Sequence, residues 1–281
     1  MNRLEMPIVT KETILAMEDM SFFTSALIFD NLLIVAQRET CCFVLKTKKE
    51  LILIDAIWPD KRAFNAIIGA VKAVGWQPEN FGKLVITHGH VDHTGCGKWF
   101  VDHYGVTTYL SEIDDLYWRE HPVKPDRPET WKNFEIDHYL QDGEIIVSGD
   151  TIINVYATPG HTPGGLSYIF PVWENGVMHM AGLWGGTTPP CSKEAAKQYL
   201  RSLAYFKQQA TIKHVDVALS NHTAIDNGLE RIYYAQKQMA YMPNIYVIGE
   251  DGFQKFCHVF KAMGDKVMRE HKSKEKEKKN K

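Results

Sequence analysis

The sequence feature that most constrains this chain is THGHVDHTG (87–95), which places three histidines and an aspartate within six positions. It directly follows KLVITH (83–88), an apolar segment with the composition of a short buried strand. Packing alone explains the cluster poorly, because each buried imidazole or carboxylate would need a polar partner. In extended backbone His88 and His90 lie on one face and can chelate one cation, while Asp92 and His93 can serve a second point. The cluster therefore predicts a metal site at the end of a strand.

This cluster is only part of a zinc site, because zinc takes three or four ligands and a catalytic site keeps one position for water. Two distant histidines are the best candidates to complete it. His161 lies between two proline–glycine turns in ATPGHTPGG (157–165), and such turns hold a donor rigidly. His222 follows the strand-like VDVALS (215–220). The remaining histidines are predicted to have solvated or core roles.

The order of apolar segments predicts a layered α/β architecture. The first half contains strand-like segments at 26–36, 41–47 and 50–56, then a helical pattern at 60–75 that ends on Gly75. The second half contains two strands at 144–158 and a hairpin at 165–181 that turns at Glu174, Asn175 and Gly176. Two halves of similar order predict two sheets packed face to face. The prediction is one domain spanning 1–281, with about 20 N-terminal and about 10 C-terminal residues peripheral.

A further helix is predicted over 192–210, with Ser192 as its N-cap. Its inward candidates are Ala195, Leu200, Leu203 and Phe206. Residues 119–144 are rich in proline and are predicted to be a surface excursion.

Composition argues against several functional classes. The net charge of −2 gives no electrostatic reason to expect binding to nucleic acid or to a membrane. We expect no membrane span, because no apolar run reaches about 18 residues. The absence of a signal-peptide pattern and the odd count of five cysteines favour a cytoplasmic protein with free thiols.

Taken together, these motifs resemble the metallo-β-lactamase superfamily of hydrolases. The resemblance rests on THGHVDHTG, on TPGHTPGG about 70 residues later, on a strand-end histidine beyond it, and on ELILIDA (50–56), which ends in an aspartate; it covers roughly residues 25–250. It implies a four-layer αββα sandwich, with the metal site at one edge between the sheets.

The resemblance also implies the ligands of two zinc ions. By this resemblance, His88, His90 and His161 bind the first zinc, and Asp92, His93 and His222 bind the second. Asp92 would also orient a metal-bound hydroxide that attacks the carbonyl carbon of an amide, lactone or thioester. Iron or manganese is also compatible with this set of donors.

One difference from the common family pattern indicates which subclass the sequence resembles most. Many relatives carry a bridging aspartate, or a cysteine on the second metal, in the strand after the third motif, but here MHMAGLWGG (178–186) places Leu183 or a neighbour there. The arrangement is therefore most like the lactamase subclass in which histidine, not cysteine, completes the second site.

Two residues near the predicted site have less certain roles. Asp55 is predicted to accept a hydrogen bond from the outer nitrogen of a ligand histidine, or else to cap a turn. Trp184 is predicted either to line a substrate pocket or to belong to the core.

The resulting prediction is a zinc-dependent, β-lactamase-like hydrolase of a small molecule, with at most promiscuous activity on β-lactams. One alternative is a thioesterase or lactonase like glyoxalase II or an acyl-homoserine lactonase. The other is a metal-binding protein without turnover. The native substrate, the loaded metal and the oligomeric state stay open at this point, since one fold hosts many activities.

Overall fold

The computed structural model describes residues 21–37, 39–120, 133–239 and 241–279 of the 281-residue chain. The first twenty residues and part of the predicted proline-rich excursion, 121–132, lie outside these ranges. Twelve strands in the described residues form two sheets. In the same ranges, no helix combines the length and the apolar character needed to cross a membrane.

Seven strands form the first sheet and follow one another in chain order: β1 (Phe23–Phe29), β2 (Leu32–Gln37), β3 (Thr40–Lys46), β4 (Leu51–Ile54), β5 (Phe81–Val85), β6 (Thr107–Leu110) and β7 (His138–Tyr139). Strands β1 to β4 pair antiparallel, and β4 to β7 pair parallel. Parallel neighbours require crossover connections, and helices make them here. The carboxyl ends of β4, β5 and β6 consequently meet at one edge of the sheet.

Five strands form the second sheet, in the spatial order β12-β11-β10-β9-β8: β8 (Ile145–Ser148), β9 (Thr151–Ala157), β10 (Leu166–Glu174), β11 (Val177–Trp184) and β12 (Val217–Ser220). The β10–β11 hairpin turns at Glu174, Asn175 and Gly176, as the sequence predicts. Strand β12 joins β11 in parallel. It therefore ends at the same edge as β11, beside the connection between β9 and β10.

Seven α-helices occur in the described residues: α1 (Lys61–Ala73), α2 (Val91–Thr94), α3 (Gly97–Tyr104), α4 (Glu112–Glu120), α5 (Lys193–Ile212), α6 (Gly228–Lys237) and α7 (Gly249–Lys279). The side chain of Ser192 accepts a hydrogen bond from the backbone N–H of Ala195, so this residue is the N-cap of α5 as predicted. Helices α1 and α3 cover the first sheet, and α5 and α7 cover the second. The layers are helix, sheet, sheet, helix, which confirms the predicted αββα sandwich.

The strands contribute side chains to two cores, one on each face of their sheet, because successive side chains point to opposite faces. Ile34 of β2 faces Tyr168 and Phe170 of the second sheet in the inter-sheet core. Its neighbours Leu33 and Val35 face the helices on the outside. Burial on both faces explains why these segments read as continuous apolar runs in the sequence.

The predicted inward face of α5 is only partly correct. Leu203 and Phe206 are buried as expected, whereas Ala195 and Leu200 are half-buried. Tyr199 is fully buried in their place. Helix α7 packs along α5, and Leu200 still packs against the core cluster that the two helices form.

Candidate metal centre

The predicted donors come together at the edge where strands of both sheets end. His88 and His90 follow β5, and Asp92 and His93 lie in α2. His161 lies in the β9–β10 connection, which is closed by hydrogen bonds from the N–H of Thr158 to the Gly165 carbonyl (2.7 Å) and from the N–H of Gly160 to the Thr162 carbonyl (2.8 Å).

His222 follows β12 and lies beside the first sheet. The N–H of Cys41 in β3 donates to the carbonyl of Asn221 (3.0 Å), and Thr40 pairs with His222 in an isolated bridge. These contacts join the two sheets at the site. Donors separated by more than 130 positions, from His88 to His222, are therefore held in one place.

Three imidazoles converge on one point, and we call His88, His90 and His161 the first trio. The Nε2 atoms of His88 and His161 each lie 3.1 Å from Nδ1 of His90. One nitrogen from each ring belongs to a group whose members all lie within 4.8 Å of one another. Three inward-facing ring nitrogens at this spacing could hold a metal ion.

The second trio consists of Asp92, His93 and His222. Nε2 of His93 lies 3.1 Å from Nε2 of His222. Oδ2 of Asp92 lies 3.5 Å from the first of these nitrogens and 3.8 Å from the second. The imidazoles of His88 and His93 are 4.1 Å apart between ring centroids, so the two trios are direct neighbours.

The outer nitrogens of four of these imidazoles, those of His88, His90, His93 and His161, contact the surrounding protein. Nδ1 of His161 donates to the carbonyl of Thr188 (2.6 Å), and Nδ1 of His93 donates to Oδ2 of Asp55 (2.8 Å). A carbonyl or an ionised carboxylate only accepts, so each of these Nδ1 atoms carries the ring proton. In the neutral form of each ring, the lone pair therefore lies on Nε2, which faces its trio.

Asp55 is the centre of a buried network beneath the second trio. Besides His93, its carboxylate accepts bonds from the backbone N–H of Thr87 (2.7 Å), the Thr87 hydroxyl (2.8 Å) and the side-chain amide of Asn221 (3.2 Å). Asp55 has a φ of 60° in the loop after β4. The network places Asp55 at the outer nitrogen of a trio histidine, which is the first of its two predicted roles.

Burial sets the charge of most of these side chains. It lowers the pKa of His90 and His222 to about 4 and that of His161 to about 3. Burial also acts to raise the pKa of Asp92, but the nearby imidazoles, with His93 the strongest, outweigh it and lower that pKa. Neutral imidazoles and an ionised carboxylate are the protonation states in which these groups bind metals.

The geometry and chemistry of both trios fit zinc. A tetrahedral zinc with metal–nitrogen bonds of about 2.0–2.1 Å separates neighbouring nitrogens by about 3.3 Å. The nitrogen separations of 3.1 Å in both trios are close to this value. Each trio has three donors, which leaves room on each ion for a further ligand.

Comparison with known families agrees with the geometry. Residues 37–172, just under half of the chain, match the metallo-β-lactamase superfamily. These residues form a metallo-β-lactamase superfamily domain. Five of the six donors of the two trios lie inside the matched range, and His222 lies beyond it.

Curated relatives of this domain have several stated activities. Hydroxyacylglutathione hydrolase GloC of Haemophilus influenzae is 31% identical over 96 residues, which is 32% of this chain and 44% of GloC. N-acyl homoserine lactonase AttM of Agrobacterium fabrum is 23% identical over 125 residues, which is 42% of this chain and 46% of AttM. The chain spans about half the length, or less, of the curated relatives it matches.

The fold has neighbours among solved structures. BJP-1, a subclass B3 metallo-β-lactamase of Bradyrhizobium japonicum, superposes with a TM-score of 0.77 at 20% sequence identity. The superposition covers 92% of this chain and 98% of BJP-1. This likeness establishes the metallo-β-lactamase fold over nearly the whole chain.

The end of β11 carries apolar side chains in this domain. Leu183 is fully buried in the inter-sheet core. Trp184 points to the other face, is 1% exposed, and packs against Tyr199, Phe206 and Phe260 of α5 and α7. Of its two predicted roles, the position of Trp184 matches the core one.

Several contacts around the trios are not predicted from the sequence. Tyr117 of α4 has its hydroxyl 3.3 Å from Nε2 of His90, and Asp114 of the same helix contacts both loops of the first trio. Asn221 and Thr188 also touch the network. Only Asn221 carries a signal, because it directly precedes His222; the other three lie in segments that no metal motif marks.

Proposed function

We propose that this chain is a zinc-dependent hydrolase of a small carbonyl compound. The proposal rests on one observation: two trios of metal-binding side chains converge at adjacent points on the edge of the sandwich. In the proposal, His88, His90 and His161 hold the first zinc ion, and Asp92, His93 and His222 hold the second.

In this proposal the imidazoles of the two trios bind the metal ions, and Asp92 also orients water. Bound zinc supplies Lewis-acid chemistry, acidifying water and polarising a carbonyl group. Burial depresses the pKa of His90, His161 and His222, so these three imidazoles are neutral and keep their lone pairs for binding. Asp92 is ionised and close to the histidines of its trio, so its carboxylate can orient a water molecule by accepting a hydrogen bond from it.

The first candidate for the substrate is a cyclic amide of the β-lactam type. It is supported by the second trio, in which the donors are one carboxylate and two histidines with no cysteine. It is also supported by the apolar end of β11, where Leu183 is buried in the core. Both features match the histidine-only lactamase subclass that the sequence resembles, and solved B3 lactamases share the fold.

The second candidate is a thioester or lactone. The curated relatives GloC and AttM are named as a hydroxyacylglutathione hydrolase and an N-acyl homoserine lactonase. The same pair of trios serves either reaction, since the carbonyl carbon is attacked in both and only the leaving atom differs. Iron or manganese remains an alternative metal in this site.

The test is hydrolysis by zinc-loaded protein, with metal content measured on the same sample. The substrates are a chromogenic cephalosporin, a carbapenem, S-lactoylglutathione and an acyl-homoserine lactone, each with and without a chelator. We expect two zinc ions per chain and chelator-sensitive turnover of at least one substrate. The preferred substrate decides between the two candidates.

A matched pair of variants separates the site from the rest of the domain. His88→Ala removes a donor of the first trio and should abolish turnover. His179→Ala removes a half-buried histidine that pairs with Asp216 away from both trios, and it should leave turnover unchanged. Two bound zinc ions without turnover of any substrate would refute the hydrolase and favour a metal-binding protein.

A further inference from the structure

The two loops that carry the first trio meet at a single carboxylate. Oδ2 of Asp114 accepts hydrogen bonds from the backbone N–H of Gly89 (2.9 Å) and from the Thr162 hydroxyl (2.7 Å). Its Oδ1 accepts from the backbone N–H of Gly164 (2.6 Å). Gly89 separates His88 from His90, and Thr162 directly follows His161. One side chain of α4 therefore touches both loops beside all three donors.

The environment of Asp114 is unusual for a carboxylate. The side chain is fully buried, and the three donors just described are neutral groups. Burying a carboxylate is costly unless hydrogen bonds satisfy it, and here two backbone amides and one hydroxyl do so. Loss of the carboxylate would leave donors from two separate loops unsatisfied at once.

The backbone around Asp114 is packed too closely to adjust. A Cβ atom on Gly89 would lie 2.7 Å from the Asp114 carbonyl oxygen, and one on Gly164 would lie 2.4 Å from the Ser111 hydroxyl. The Ser111 hydroxyl also donates to the carbonyl of Gly164 (2.6 Å). The start of α4 thus packs directly between the two loops, and glycine at positions 89 and 164 permits this close approach of the backbones.

The same helix contacts the first trio a second time. Tyr117, three residues after Asp114, lies on the same face of α4 and has its hydroxyl 3.3 Å from the outer nitrogen of His90. The second trio has a separate support, because His93 bonds to Asp55. The two supports meet at Thr87, whose hydroxyl bonds to Asp55 and lies 3.0 Å from Nδ1 of His88, whereas the bonds of Asp114 run to the two loops of the first trio.

We propose that Asp114 is a positioning residue for the first trio. It sets the separation between the loop of His88 and His90 and the loop of His161, and thereby brings their nitrogens to one point. This inference rests on the proposed function, in which the first trio binds zinc. It predicts that loss of Asp114 weakens zinc binding at the first trio and leaves the second trio unaffected.

The experiment measures zinc affinity at each trio separately. His222→Ala disables the second trio, and His161→Ala disables the first, so each background presents one site. Asp114→Asn is introduced into both backgrounds, and the zinc dissociation constant is measured by competition with a chelator. Loss of a residue that orients metal ligands typically costs about 10–100-fold in affinity, and we expect a change of this size only in the His222→Ala background.

Asp115→Asn is the matched control. Asp115 is the next residue of α4 and equally buried, but its carboxylate accepts from Tyr139 and pairs with Arg119 instead of contacting the loops. It should leave zinc affinity at both trios within about threefold, since substitutions at sites that share no partners usually act independently. Thr162→Val, which removes one of the three bonds, should weaken the first trio by less than Asp114→Asn, and Thr162→Ser should restore it.

Each result bears on the inference. Equal losses of affinity in both backgrounds would overturn it, because they would indicate a general structural role. Wild-type zinc affinity at the first trio of Asp114→Asn would also overturn it. If Asp114→Asn fails to fold, the Thr162→Val and Thr162→Ser pair decides by the same comparison. If the unmodified protein binds no zinc at all, the proposed function fails before the inference is reached.

Discussion

Replacing Asp55 with asparagine is expected to weaken zinc binding at the second trio without removing any of its donors. The substitution keeps the size of the side chain but turns one carboxylate oxygen into an NH2 group. The backbone N–H of Thr87 points at Oδ1, so the remaining oxygen must stay there. The new NH2 group then faces Nδ1 of His93, 2.8 Å away, where the carboxylate oxygen had accepted a bond.

The new NH2 group and Nδ1–H of His93 then cannot hydrogen-bond to each other, because both are donors. Either two N–H groups face each other, or the ring proton moves from Nδ1 to Nε2, the nitrogen that faces His222. A buried donor left unsatisfied costs about 1–3 kcal/mol. At 1.4 kcal/mol for each factor of ten, this cost corresponds to a rise of about 5- to 150-fold in the dissociation constant. Changes to the partner of a ligand histidine commonly have effects in the same range, about 10–100-fold.

The assay is chelator competition for zinc in the His161→Ala background, where only the second trio is complete. Asp216→Asn is the control, because Asp216 makes the same contact with Nδ1 of His179 (2.6 Å) at a distance from both trios. We expect the control to bind zinc with unchanged affinity. Unchanged affinity in Asp55→Asn as well would refute the assignment of Asp55 to the support of His93.

Three further outcomes are expected. His161→Ala should bind one zinc ion instead of two by elemental analysis; retention of both would remove His161 from the first trio. The zinc-free protein should lose unfolding free energy as the pH falls from about 6.5 toward 4, because unfolded histidines protonate near pH 6.5 whereas His90 and His222 do so at about 4. At pH 5 this amounts to about 2 kcal/mol per histidine, measurable by urea unfolding at pH 5 and 7, and a flat profile would contradict it. Trp184→Ala should cost about 3–5 kcal/mol of stability with unchanged KM, since the ring lies in the core; a raised KM at unchanged stability would place the ring in the substrate pocket.

Local patterns in the sequence are sufficient to predict the strands, the β10–β11 turn and the N-cap at Ser192. Each of these depends on a few neighbouring residues, such as the alternation of buried side chains in a strand or the hydroxyl before a helix. The six donors of the two trios are also marked locally, because each follows an apolar strand and lies among residues typical of turns. Their convergence requires only that strand ends meet at one edge of the sandwich.

The supports of the site depend on tertiary contacts and carry no such local mark. Asp114 reaches Gly89 across 25 positions and Gly164 across 50, and its sequence, SEIDDLYW (111–118), is that of an ordinary amphipathic helix. For Trp184 the strand pattern identifies the face of the sheet on which the ring lies but not the element that covers that face. A place in a substrate pocket and a place in the core are therefore equally compatible with the sequence. Tyr199 of α5 is fully buried and Leu200 half-buried in the cluster that α5 forms with α7, a helix far along the chain that local patterns do not place there.

The distribution of protons across the site explains why the histidine cluster is better understood as a metal centre than as packing. The outer nitrogen of His161 donates to a carbonyl that has no proton to give, and burial holds this ring neutral, which leaves a lone pair on its inner nitrogen. This inner nitrogen lies 3.1 Å from Nδ1 of His90, whose ring burial also holds neutral. In the second trio, Asp92 and Asp55 outweigh burial and raise the pKa of His93, so that ring gives up a proton when it binds a metal. Lone pairs at this distance repel one another in the first trio, which lowers the stability of the metal-free fold, and a divalent cation converts this repulsion into binding. The hydrogen bonds behind the rings, from Asp55, Thr188 and Tyr117, are therefore as much a part of the site as the six donors in front.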